Sequence, residues 1–202
     1  MKHLFITGVN RSGHTTLVSK LNQHNDVAIE DERPFVLPWH WKYSNRVEEL
    51  KEDFLNYFSK VMPEQYSSYK VIGGAACYYL KAIPFIKKHI PDSNIVIIKR
   101  NRQDVINAFV DKLNIDENHT EAIITSKFLS RLDPNATNWE TAYPKYQRIQ
   151  GVETIDLFKE LVGSYWDEFY GAAYRYAEKY NNVKIYNSEE LLKENNYKKL
   201  VR

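Results

Sequence analysis

An α/β fold, one domain over residues 1–202 with a central parallel β-sheet flanked by helices, is predicted by three observations. Short apolar runs alternate with segments of helical period along the whole chain. The first run feeds a glycine-bounded loop that opens into a helix, and Pro91-Asp92-Ser93 falls between a helical segment and the next run, where a crossover turn belongs. In order, the strand at 3–8 rests on Leu4 to Ile6, and the helix at 14–23 starts beyond Gly13 on Thr15 and Thr16. Val27, Ala28 and Ile29 carry a strand at 27–31, followed by a helix at 47–61. A strand at 69–73 and a helix at 79–90 come next, then Ile95 to Ile98 in a strand at 94–99 and a helix at 102–113. A helix at about 118–131, a long one across about 153–180 and a strand at 183–187 complete the set. Residues 133–151, with Asp133-Pro134-Asn135, Tyr143-Pro144 and Gly151, read as an irregular excursion.

The bulk properties exclude several functions. With 202 residues, the chain has room for one real core. A formal charge of +2, with basic and acidic residues interleaved, gives no nucleic-acid footprint, so any anion site must be local. The single Cys77 excludes an internal disulfide framework and is read as a small buried hydrophobe. With no signal-like start and no apolar run long enough for a bilayer, a cytoplasmic location and no membrane span are expected. The long helix carries Tyr165, Trp166, Phe169, Tyr170, Tyr174, Tyr176 and Tyr180, many at three-to-four spacing, which is read as core packing.

The chemistry is concentrated in the first loop. Gly8-x-x-x-x-Gly13-His14-Thr15 fits the triphosphate-binding P-loop pattern except that His14 stands where the lysine belongs, while Arg11 sits inside the loop. The first turn of the following helix leaves backbone N–H groups without acceptors and carries partial positive charge, which suits an anion. A triphosphate enzyme also needs an acid near the end of a later strand to hold magnesium. Here the strand Asn94 to Ile98 ends in Lys99-Arg100-Asn101-Arg102, which repels a metal and attracts a second phosphate. In a parallel sheet both sites lie on one rim. The pair implies a ligand with two separated phosphate groups and no obligatory metal.

These segments resemble the sulfotransferases that use 3′-phosphoadenylyl sulfate (PAPS). Their phosphosulfate loop, Pro-Arg-Ser-Gly-Thr-Thr-Leu-Leu, is similar to Asn10-Arg11-Ser12-Gly13-His14-Thr15-Thr16-Leu17, and their Asn-x-His-Pro-Asp helix end to Asn22-Gln23-His24-Asn25-Asp26. Their second motif resembles Arg100-Asn101-Arg102-Gln103-Asp104-Val105-Ile106-Asn107-Ala108, and a C-terminal Val-x-Tyr-Glu-Asp-Leu segment resembles Ile185 to Leu191. The resemblance implies that Arg11, the amides of Ser12, Gly13, His14, Thr15 and Thr16, and the Thr15 hydroxyl hold the 5′-phosphosulfate. It implies that Arg100 binds the 3′-phosphate with Lys99 assisting, and that Glu32, beside Asp31, takes the proton of a hydroxyl or amine acceptor. As an arbitrary acid at a strand end, Glu32 would simply pair with Arg33 or a neighbouring lysine.

Three roles stay open for His14: a donor to the leaving phosphate, which its place at the helix start favours, a general acid or base, or a tolerated first helical residue. The sequence also departs from the family. Ala108 replaces a serine that meets the 3′-phosphate, with polar Asn107 an imperfect substitute a third of a turn away. Asn10 and Arg102 replace prolines, and Ala75 lies where a lysine is common, which leaves transition-state stabilisation to Arg11 and His14. Two alternatives remain: a P-loop kinase of a small metabolite, against which the missing lysine and acid count, and an inactive nucleotide-binding protein of the same fold. The acceptor, a small molecule, carbohydrate or peptide, is expected near Trp39, His40, Trp41, Tyr43 and the 133–151 excursion.

Overall fold

Strand β1 (Lys2–Gly8) occupies the centre of a five-stranded sheet whose order is β2-β3-β1-β4-β5, with every pairing parallel. The computed structural model describes residues 1–31, 47–113, 154–193 and 196–201. The other strands are β2 (Val27–Asp31), β3 (Val71–Ala75), β4 (Asn94–Lys99) and β5 (Val183–Asn187). Helices cover both faces, which is why the central strands read as near-continuous apolar runs. Successive side chains of a strand point to opposite faces, and this splits the core in two. Phe5, Ile72, Ile95 and Ile97 belong to one cluster, and Leu4, Ile6, Val96 and Ile98 to the other.

Helix α1 (His14–Leu21) covers the second cluster with Leu17, Val18 and Leu21. Helix α2 (Val47–Asn56) runs through a π-helical turn (Tyr57–Val61) into α3 (Met62–Gln65). Helices α4 (Tyr79–His89) and α6 (Ile155–Lys179) pack on the first cluster, and α5 (Arg102–Leu113) lies against α6. A short α7 (Ser188–Leu191) and a 3₁₀ turn (Asn196–Leu200) close the second face. Among the described residues no helix is long and apolar enough to cross a membrane.

The expected elements within the described residues are all present, four of them with the expected bounds and five with ends shifted by one or two residues. The largest strand displacement is β3, at Val71–Ala75 rather than 69–73. Tyr69 is still in a turn, its N–H donating to Tyr66 O at 2.9 Å, and the sheet begins where Val71 aligns with Lys2. The expected strand ends at Gly73, whereas Gly73 and Gly74 both sit inside β3, where a Cβ at Gly73 would run into the backbone carbonyl of Leu4. The helix expected at 47–61 continues to Gln65 through the π turn. Cys77 is buried as a reduced thiol. The expected helix at about 118–131, the 133–151 excursion, Glu32, Trp39, His40, Trp41 and Tyr43 lie outside the described residues.

Candidate functional site: an anion-binding loop on the strand-end rim

The loop Val9 to Gly13 is shaped by two left-handed residues, Arg11 (φ 71°) and Gly13 (φ 97°). A Cβ at Gly8 would meet Ser12 Oγ and, at 2.7 Å, the backbone oxygen of Ile98, so only glycine lets the loop turn this close to β4. Hydrogen bonds hold the loop. Ser12 N donates to Val9 O at 3.0 Å, Asn10 N to the Tyr165 hydroxyl at 3.3 Å, and Arg100 Nη1 to Arg11 O at 3.0 Å. Ser12 Oγ is enclosed with no hydrogen-bond partner, so its hydroxyl is a donor still to be used. No side chain caps α1 at Gly13, and Thr15 and Thr16 are exposed at its first turn. A cradle of this kind, with uncapped helix amides, fits a phosphate or sulfate group.

His14 is buried, and its Nε2 lies 3.7 Å from Asp31 Oδ1 at the end of β2. Asp31 Oδ1 itself is enclosed and accepts no hydrogen bond. The neighbouring Glu30 faces the other way: its Oε1 accepts from Tyr57 at 2.7 Å, out of the π turn, and from Tyr66 at 3.1 Å. Burial, then the hydrogen bond to Glu30, pushes both phenols above the ordinary tyrosine value.

The register Gly8↔Ile98 brings the end of β4 level with the loop. Arg100 therefore stands beside Arg11, as expected from the parallel sheet. The Lys99 ammonium donates to the Tyr174 hydroxyl at 2.6 Å and lies over the rings of Trp166 and Tyr174, at 5.3 and 5.2 Å from their centroids. It also borders a pocket of about 240 Å³ lined with Tyr186, Asn187, Glu190 and Lys199. Asn107 is exposed and accepts from Gln103 at 3.0 Å one turn earlier on α5. Arg102 forks onto Asp167, with contacts of 3.1 to 3.3 Å. Among the described residues, no group of three or more His, Cys, Asp or Glu side chains is arranged to hold a metal.

Two features are missing from the sequence reading. One is Asp31 as the partner of His14. The other is α6, whose aromatic face packs in the core as expected while its polar tips brace the site. Trp166 Nε1 donates to Arg100 O at 3.0 Å, Tyr170 OH to Ile98 O at 2.6 Å, and Tyr165 OH accepts from Asn10. The three-to-four spacing reveals the buried face but not what the tips touch, which depends on tertiary packing.

A parallel sheet of order 2-3-1-4-5 with its glycine-bounded loop between the first strand and the first helix defines a P-loop-type α/β protein. The profile of the sulfotransferase family matches residues 3–156, and the chain belongs to that family. In structure it is similar to a sulfotransferase from Alicyclobacillus acidocaldarius, with a TM-score of 0.54 and 16% identity over 100% of this chain and 78% of that one. A shikimate kinase from Bacteroides thetaiotaomicron has a TM-score of 0.42 and 16% identity, covering 99% of this chain and 94% of that one. An uncharacterized protein from Eubacterium ventriosum has a TM-score of 0.38 and 11% identity, covering 83% and 98%. Of these three, the sulfotransferase alone is near enough to speak to the fold. No curated protein matches the chain in sequence.

Proposed function

We propose that the protein transfers the sulfuryl group of 3′-phosphoadenylyl sulfate to a hydroxyl or amine acceptor. The observation that carries this is the joined pair of cationic elements on one rim: an uncapped, glycine-bounded loop holding Arg11, and Arg100 bonded to that loop at 3.0 Å. Membership of the sulfotransferase family supports it. The donor, when bound, supplies an activated sulfuryl group and a bisphosphate leaving group.

Arg11, the amides of Ser12 to Thr16 and the Thr15 hydroxyl would hold the 5′ end, and the enclosed Ser12 Oγ is available to it. Arg100 would hold the 3′-phosphate, with Lys99 and Asn107 at its margin. The pocket between the ends of β4 and β5, lined by Lys99, Tyr186 and Lys199, suits the nucleoside. His14 and Arg11 would donate to the leaving oxygen as charge develops there, the moment at which preorganised donors lower a barrier most. Asp31 keeps the imidazole in place. Glu32 would take the acceptor proton.

A thermal-shift comparison tests the donor. Adenosine 3′,5′-bisphosphate at about a hundred times its Kd, without magnesium, should raise Tm by about 5–10 °C. Stabilisation only by ATP with magnesium would make the protein a kinase, and a response to neither nucleotide would make it a non-catalytic member of the fold.

A further inference from the structure

A ligand for a 3′-phosphate has no need to touch the phosphate loop, yet Arg100 Nη1 donates to the carbonyl oxygen of Arg11 at 3.0 Å. Arg11 is the one non-glycine residue with a left-handed backbone among the described residues. A Cβ makes that conformation sterically unfavourable, and it persists only where neighbours over-determine it. The hydrogen bond from Arg100 to the loop has a charged donor, and charge-assisted bonds are the stronger kind. Arg100 is itself fixed, since Trp166 Nε1 donates to its carbonyl oxygen at 3.0 Å and the Tyr170 hydroxyl to Ile98 O, two residues earlier.

We propose that Arg100 is a positioning residue for the phosphate loop: it holds Arg11 in the anion-binding conformation before any ligand arrives. Affinity at the 5′ end of a ligand then depends on a residue whose expected place is at the 3′ end. The inference rests on the proposed function only for the identity of that ligand. A residue that merely read a 3′-phosphate would act on adenosine 3′,5′-bisphosphate and leave AMP, which has no 3′-phosphate, untouched.

Arg100→Lys keeps a cation at the strand end and removes the guanidinium, with Arg100→Gln as the second variant should the first not fold. The ligand-free readout is amide hydrogen exchange over residues 9–13, where the Ser12 amide is bonded to Val9 O. Exchange there should quicken about tenfold while the rest of β1 and β4 stays unchanged. Unchanged loop exchange, or equal acceleration of every amide, would overturn the proposal. In binding, the Kd of AMP should rise about tenfold together with that of the bisphosphate. A loss confined to the bisphosphate would reduce Arg100 to a ligand for the 3′-phosphate. Should the wild-type protein bind neither nucleotide, the donor assignment fails, and the exchange measurement still decides the role of Arg100.

Discussion

His14 stands where a triphosphate P-loop carries lysine, and the structure gives it a partner that a lysine at this position would not require. Its Nε2 faces Asp31 Oδ1 at 3.7 Å across the gap between α1 and β2. This contact does not follow from the sequence, because 17 positions separate the two residues and only the folding of β2 beside α1 joins them. The loop, by contrast, was legible from Gly8 to Thr16, since its glycines, its arginine and its helix start are contiguous and act through local backbone geometry. Under the proposed function, Asp31 and Glu32 are the two acids to weigh as the base for the acceptor proton. Asp31 Oδ1 faces His14 Nε2 at 3.7 Å, and Glu32 is the base we propose. In sulfur-label transfer to a panel of acceptors, Glu32→Gln should lower turnover by about a hundredfold or more with bisphosphate affinity intact. Asp31→Asn should cost about tenfold by removing the carboxylate that faces His14 at 3.7 Å. The reverse order, with Glu32→Gln active and Asp31→Asn inert, would move the base to Asp31.

Among the elements, α6 is the one whose sequence revealed half of its part. Its aromatic period marked a buried face, and Tyr165, Phe169 and Tyr170 are buried as that period requires. The hydroxyl and indole tips that reach Asn10, Ile98 and Arg100 were not legible, because a pattern of apolar positions says nothing about which backbone groups lie opposite. The displacement of β3 has the same origin: a glycine pair signals a break until the backbone of β1 is known to approach it. Gly163 on α6 gives a test of close approach at element scale. A Cβ there would press on the Arg102 guanidinium, which is the far end of a flexible side chain. Displacing Arg102 sacrifices its ion pair with Asp167, whose partners are 44% and 55% exposed, and such pairs contribute about 0–1 kcal/mol. Replacing glycine by alanine inside a helix returns about 1 kcal/mol. Gly163→Ala should therefore leave the unfolding free energy from urea titration unchanged or raised by up to about 1 kcal/mol. At Gly73 the obstacle is backbone, and Gly73→Ala should cost about 3 kcal/mol or more. A comparably large loss at Gly163 would mean that Arg102 cannot move aside.

At the scale of the whole molecule, the parallel register sets Gly8 opposite Ile98 and gathers the loop, Asp31 and Arg100 on one rim, while tyrosines fill much of the space around it. This packing has a consequence for pH. Burial raises the phenols of Tyr57, Tyr66, Tyr79, Tyr170 and Tyr176 above the ordinary tyrosine value, and for Tyr57 and Tyr66 the hydrogen bond to Glu30 adds to it. A group whose folded pKa is raised binds its proton more tightly in the native state. Its contribution to stability is complete below the unfolded value and drains away as pH climbs toward the folded one. Lys87, lowered by burial, works in the opposite direction over the same alkaline range, one group against five. Stability should therefore be level up to about pH 9 and fall beyond about pH 10, with Tyr79 and Tyr170 each contributing a slope of about 1.4 kcal/mol per pH unit. These two phenols are fully enclosed, so solvent does little to relieve them. Urea midpoints at about pH 9, 10 and 11, recorded with tyrosinate absorbance, measure this slope. Tyrosinate from the buried rings should appear only with unfolding. Full ionisation of the native protein with unshifted midpoints would mean that the rings around Glu30 and at the base of the loop open to solvent without loss of the fold.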